Sequence, residues 1–99
     1  MEIKELVSEF MKRNNISYTF YNKFVNGYSF CYSYKYQGIK KNMSFIVMEK
    51  DGEIVVETRF SIKNYRQFKV STVDELEDAF HTFLEIAGKN EGITLEEAC

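Results

Sequence analysis

From Tyr28 to Tyr36 every second residue is aromatic, with Ser29, Cys31, Ser33 and Lys35 filling the places between. A strict period of two is the pleat of a β-strand, whose successive side chains leave on opposite sides; no helix gathers such a set on one stripe. Rings of this size on one face of a strand are buried when they can be, so the chain must supply neighbouring strands and a covering layer.

The flanking sequence offers both. Ile16, Tyr18, Phe20 and Phe24 alternate with polar residues ahead of Val25-Asn26-Gly27, which predicts a strand over 16–24 paired with one over 28–37. A three-residue loop at Val25-Asn26-Gly27 sets Phe24 opposite Tyr28 and Phe20 opposite Tyr32, apolar against apolar, with Gly27 in the left-handed position of a bulged turn. Further on, a two-residue turn at Asp51-Gly52 sets Lys50 opposite Glu53 and Val47 opposite Val56, predicting strands over 42–50 and 53–62 with 37–41 as the link. Residues 64–70 carry both helical and strand spacing and read as a loop with a short edge strand as the alternative.

Helical periodicity marks the two ends. Ile3, Leu6, Val7, Phe10 and Met11 form one stripe over 2–13. Val73, Leu76, Phe80, Phe83, Leu84 and Ala87 form another over 73–88, where Ser71 with Asp74 or Thr72 with Glu75 is a capping box and Gly88 a stop. Residues 89–99 are a tail. The expected fold is α+β: an α-β-β-β-β-α chain with a four-stranded antiparallel meander and both helices on one sheet face. Its core joins both stripes to Phe20, Tyr32, Phe45, Val47, Ile54, Val56 and Phe60. Ninety-nine residues suffice for one such domain, 1–99.

Several classes of function find no support in the residues. No apolar run is long enough for a membrane span and the first residues do not resemble a signal peptide, so the expected location is cytoplasmic, with no membrane partner. Cys31, placed mid-strand, and Cys99, the last residue, supply neither a disulfide framework nor a closed zinc site and read as free thiols. His81 is the one histidine, with Glu77, Asp78 and Glu85 as helical neighbours but no nucleophile near it in sequence. No metal-ligand spacing and no glycine-rich phosphate loop occurs, so the expected catalytic, metal and cofactor sets are empty.

Charge and exposed apolar residues carry the functional expectation. The net charge of −2 conceals a gradient: residues 1–32 sum to +1, 33–70 to +4 and 71–99 to −7. Asp74, Glu75, Glu77, Asp78 and Glu85 make the second helix an acidic surface suited to a protein partner with a basic or nucleic-acid-binding face. Tyr21, Ile46, Met48 and Val55 form an apolar patch on the sheet's other face, a contact for a partner or for a homodimer. The alternative is binding of RNA or single-stranded nucleic acid, with Lys35, Lys40, Lys41, Lys63, Arg66 and Lys69 on phosphates and the tyrosines stacking on bases.

Two resemblances follow from these residues. The helix–strands–helix order resembles the double-stranded-RNA-binding domain, a family that grips phosphate with lysines at the start of its second helix; here that stretch is Thr72-Val73-Asp74-Glu75-Leu76-Glu77-Asp78, of the opposite charge. The acidic stretch from Asp74 to Glu85 and the tyrosine-rich hairpin resemble, in style, small phage and mobile-element inhibitors of the anti-CRISPR type. That resemblance implies stoichiometric blocking of a nucleic-acid-handling host protein by carboxylates that imitate phosphates.

Overall fold

The computed structural model describes residues 2–61, 63–88 and 96–97, with the backbone alone at 35, 36, 86–88, 96 and 97. In chain order the elements are α1 (Ile3–Arg13), β1 (Phe20–Asn22), β2 (Gly27–Tyr36), β3 (Ile39–Lys50), β4 (Glu53–Arg59), β5 (Tyr65–Lys69), α2 (Val73–Gly88) and β6 (Glu96–Glu97). The strands form an antiparallel sheet in the order β1-β2-β3-β4-β5, and β6 pairs β2. The fold is thus α+β, but five strands lie along the sheet where the sequence predicts four. Tyr65–Lys69 takes the strand alternative because each of its residues finds a partner on β4, Phe68 opposite Val56 and Arg66 opposite Thr58. In the region expected to be tail, Glu96–Glu97 is a strand opposite Tyr32 and Ser33; 89–95, 98 and 99 lie outside the described residues.

Both helices bury their stripes on the same sheet face. Ile3, Leu6, Val7 and Phe10 from α1 and Val73, Leu76, Ala79, Phe80 and Phe83 from α2 close over Phe30, Met43, Phe45, Val47 and Val56. Phe10 is central: its ring meets Phe30 and Phe80 edge-on at 5.5 and 5.0 Å and stacks on Phe45 at 6.0 Å. Edge-to-face and offset contacts suit the ring quadrupole and add to the burial of apolar area. α2 starts on the second of the two capping options: Thr72 Oγ1 accepts the Glu75 N–H at 3.1 Å, and Glu75 Oε1 accepts the Ser71 N–H at 3.2 Å. Such a cap contributes about 1 kcal/mol.

The hairpins divide by how they set their register. β3 and β4 pair as expected, Lys50 opposite Glu53 and Val47 opposite Val56, through Asp51 (φ 54°) and Gly52 (φ 78°). β2 and β3 join through a turn of the same kind, Gln37 (φ 51°) and Gly38 (φ 78°), so the expected link over 37–41 shrinks to two residues and Ile39 enters β3 opposite Tyr36. Positive φ at both central residues is what a tight hairpin demands.

The first hairpin departs from expectation. Phe20 lies opposite Ser29, Tyr21 opposite Tyr28 and Asn22 opposite Gly27, leaving four residues, 23–26, in the loop. Two local causes are visible. The Ile16 N–H caps α1 by donating to the Met11 carbonyl at 2.9 Å past a left-handed Asn15 (φ 54°), which keeps the start of the expected strand out of the sheet. Within the loop, Asn22 Oδ1 accepts the Phe24 N–H at 3.0 Å, and Asn26 (φ 44°), rather than Gly27, is the left-handed residue. Gly27 serves close approach instead: a Cβ there would lie 3.2 Å from Met48 Cβ. The register differs by three residues from the expected one, and an odd slip exchanges the two faces of a strand. Phe20 therefore leaves the expected core and is 53% exposed on the face away from the helices. Phe30 and Met43 are buried in the core, while Tyr32, Ile54 and Phe60 pack around its margin.

Cys31 is disulfide-bonded, contrary to the free thiol expected. The sequence's other cysteine, Cys99, lies outside the described residues.

Candidate partner-binding surface

The acidic residues of α2 fall into two groups. Arg13, in the last turn of α1, reaches across with Nη1 to Asp74 Oδ1 at 2.9 Å and to Glu77 Oε2 at 3.4 Å, while its Nε bonds Glu9 Oε1 at 3.3 Å. These carboxylates, Asp74 foremost, raise the guanidinium pKa above its ordinary value, against the opposing effect of desolvation. The Asn14 amide donates to Glu77 Oε1 at 3.1 Å and to the Phe10 carbonyl at 2.9 Å, so it closes the α1 C-terminus and bridges to α2 together. Glu75 is held in the cap. Asp74, Glu75 and Glu77 are thus engaged within the fold, although Asp74 and Glu75 remain exposed, whereas Asp78 and Glu85 are exposed and make no ion pair or side-chain hydrogen bond among the described residues.

Beside Asp78 runs a cleft of about 400 Å³ between α2 and β5. Buried Val70, Ala79 and Phe83 line it together with Phe68, which is 40% exposed; Arg66 stands on the strand wall, and Glu75 and Asp78 on the helix wall. β5 is the end of the sheet path, and all five of its residues are exposed. Lys69 Nζ pairs with Glu53 Oε2 at 2.8 Å across the strand, and the Arg59 guanidinium lies over the Tyr65 ring. The cleft was hidden from sequence because it exists only once 65–69 pairs with β4; the alternation of Arg66, Phe68 and Val70 is the signal that could have found it.

The expected apolar patch does not assemble as one surface. Ile46 and Met48 are half-buried and Val55 is buried on the face away from the helices. Tyr21 is on the other face, because the first hairpin's register turns it there: its ring stacks on Tyr28 at 4.8 Å and its hydroxyl donates to Asn26 Oδ1 at 2.9 Å. Burial, with the neighbouring Tyr21 phenol adding to it, pushes the Tyr28 phenol up from its ordinary 10.0. Phe20 occupies the place intended for Tyr21, in one cross-strand row with Ser29, Ile46 and Glu57. Glu57 is itself buried, its oxygens accepting from Arg59 Nη2 at 3.0 Å and Gln67 Nε2 at 2.7 Å.

The basic residues are dispersed. Lys40 and Lys41 are exposed on the arm of the β2–β3 hairpin, beyond the last β4 pair at Ser44–Arg59, with Lys35 opposite Lys40 in the ladder. Lys63 is exposed in the turn before β5, Arg66 lines the cleft and Lys69 is paired with Glu53. Tyr28, Tyr32 and Tyr34 pack against the core, which removes them from any stacking platform. His81 is exposed beside the Phe80 ring. Among the described residues no three His, Cys, Asp or Glu side chains are grouped to hold a metal, and no helix is long and apolar enough to cross a membrane.

Compared with family models, curated proteins and solved structures, the chain finds no significant match.

Proposed function

We propose that this protein is a noncatalytic binding module for another protein, docking through the side of the domain formed by α2 and β5. One observation carries the reading: Asp78, a carboxylate that makes no ion pair among the described residues, stands on the wall of an open cleft beside a strand whose whole length is exposed. A charged rim around an apolar centre is the anatomy of a protein contact. Glu85 extends the negative surface, so the partner's matching face is basic. In its narrower form the reading makes the chain an inhibitor of a nucleic-acid-handling protein, the partner's basic groove being occupied by these carboxylates.

The test is affinity capture from the source cells with the parent chain and with Asp78→Lys/Glu85→Lys, two exposed positions outside the α1–α2 contacts. The expected result is a protein retained by the parent, weakened by added salt and lost with the variant. Equal capture by both sinks the acidic-surface reading. Tight, salt-sensitive binding of bare single-stranded RNA, lost in Lys40→Glu/Lys41→Glu, would put nucleic-acid binding in its place.

A further inference from the structure

The sheet has two edges, and one is already occupied. β1 and β6 both pair with β2, at the far side of the sheet from β5. At β5 the outward backbone groups have no strand beyond them among the described residues. On that strand Arg66 and Phe68 face the helix side, opposite Thr58 and Val56, and Val70 continues the row. From Arg66 to Val70 is four residues, about 13 Å of strand at 3.3 Å per residue.

The cleft is polarised along this length. α2 begins beside the end of β5, at Val73, and runs back until Phe83 meets Phe60 at 5.4 Å. Glu75 and Asp78 therefore lie toward the Val70 end, where Lys69 also lines the cleft with its ammonium paired to Glu53, and Arg66 lies at the Phe83 end, with Phe68 and Ala79 between them. A strand added to β5 would send its alternate side chains to this same side, and three of them, at i, i+2 and i+4, span the same 13 Å or so.

We infer that β5 receives an extended segment of the partner protein as an antiparallel strand, whose alternate side chains read basic, apolar, acidic from its N-terminal end. The basic side chain faces Glu75 and Asp78, the apolar one covers Phe68, and the acidic one meets Arg66. Backbone hydrogen bonds to the strand edge hold the segment, and the cleft selects its side chains, as in other cases of strand addition. The antiparallel direction is the one that every pairing in this sheet already follows. The inference rests on the proposed protein-binding role and deepens it.

The probe is a fluorescein-labelled nine-residue synthetic peptide with lysine, leucine and glutamate at alternate central positions, titrated by anisotropy, with amide exchange followed in parallel. Three results are expected: saturable binding with new protection at Tyr65–Lys69, at least tenfold weaker binding of the peptide with lysine and glutamate exchanged, and loss of binding when the peptide is N-methylated on its β5-facing amides. Arg66→Glu/Asp78→Lys, both exposed positions, should invert the preference between the two charge orders. Equal affinity for both orders, indifference to N-methylation, or protection of β5 by self-association without peptide would each overturn strand addition. If Asp78→Lys/Glu85→Lys abolishes capture of the partner while the peptide neither binds nor competes, strand addition falls and the acidic docking surface stands.

Discussion

The two edges of the sheet are treated in opposite ways. Along β2 the edge is patched twice, by β1 opposite 27–29 and by β6 opposite 32–33, and the disulfide-bonded Cys31 lies between the two patches. Along β5 nothing is paired beyond Tyr65–Lys69 among the described residues, and the strand is flanked instead by the cations Arg66 and Lys69. An unpaired edge is a template for any other strand, and charged side chains are the usual means of keeping unwanted ones away. Among the described residues, then, the domain closes one edge with its own chain and guards the other by charge, and on the proposed reading the second edge is kept for a selected contact.

The comparison assumes that both edges rest on one core, and Phe45→Ala tests this with the largest effect. Its ring touches Phe10, Phe80 and Phe83, and truncation should cost about 3–5 kcal/mol in urea unfolding, with amide protection falling at both edges together. Survival of protection at one edge alone would show that the two belong to separate units. Cys31→Ser should separate them: a loss of about 2–4 kcal/mol, with faster exchange at Tyr32 and Ser33 and no change at Tyr65–Lys69. For the other edge, Arg66→Val/Lys69→Val should alter stability by less than about 1 kcal/mol, since the Lys69–Glu53 pair is exposed, yet produce concentration-dependent association in light scattering. A variant that stays monomeric would mean that charge is not what guards β5.

The smallest effect concerns β1, held by the Tyr21–Tyr28 stack. Because the folded state raises the Tyr28 pKa, it binds that proton more tightly than the unfolded chain does. Its contribution is complete below the unfolded value of 10.0 and falls away as pH rises through the higher folded value. Tyr28→Phe should therefore flatten the alkaline loss of stability above pH 10.0, measured by urea midpoints across that range.

What could be read from sequence followed the contrast between strand faces. β3 and β4 carry unlike faces and complementary ends, Val47 with Val56 and Lys50 with Glu53, so only one register satisfies both. Around β1, Phe20 and Tyr21 are adjacent aromatics, and either can be taken as the inward one; the decision rests with the α1 cap at Ile16 and the Asn22 turn, which hydropathy does not report. The acidic surface shows the same limit. Carboxylates can be counted in the sequence, but the residue that engages Asp74 is Arg13, 61 positions away, and no local pattern pairs them. The cleft needed the β4–β5 pairing before it had a second wall.

The contact of Arg13 and Asn14 with the first turn of α2 also bears on how fast the chain can fold. Successive strands from β1 to β5 are separated by two to five residues, so each hairpin closes a short loop. The helix–helix contact spans 61 to 64 residues and encloses the whole meander. Loop-closure entropy rises with the logarithm of length, and distant contacts slow two-state folding. The rate is therefore governed less by the strands, whose partners are neighbours in sequence, than by the meeting of the two helices that bracket them.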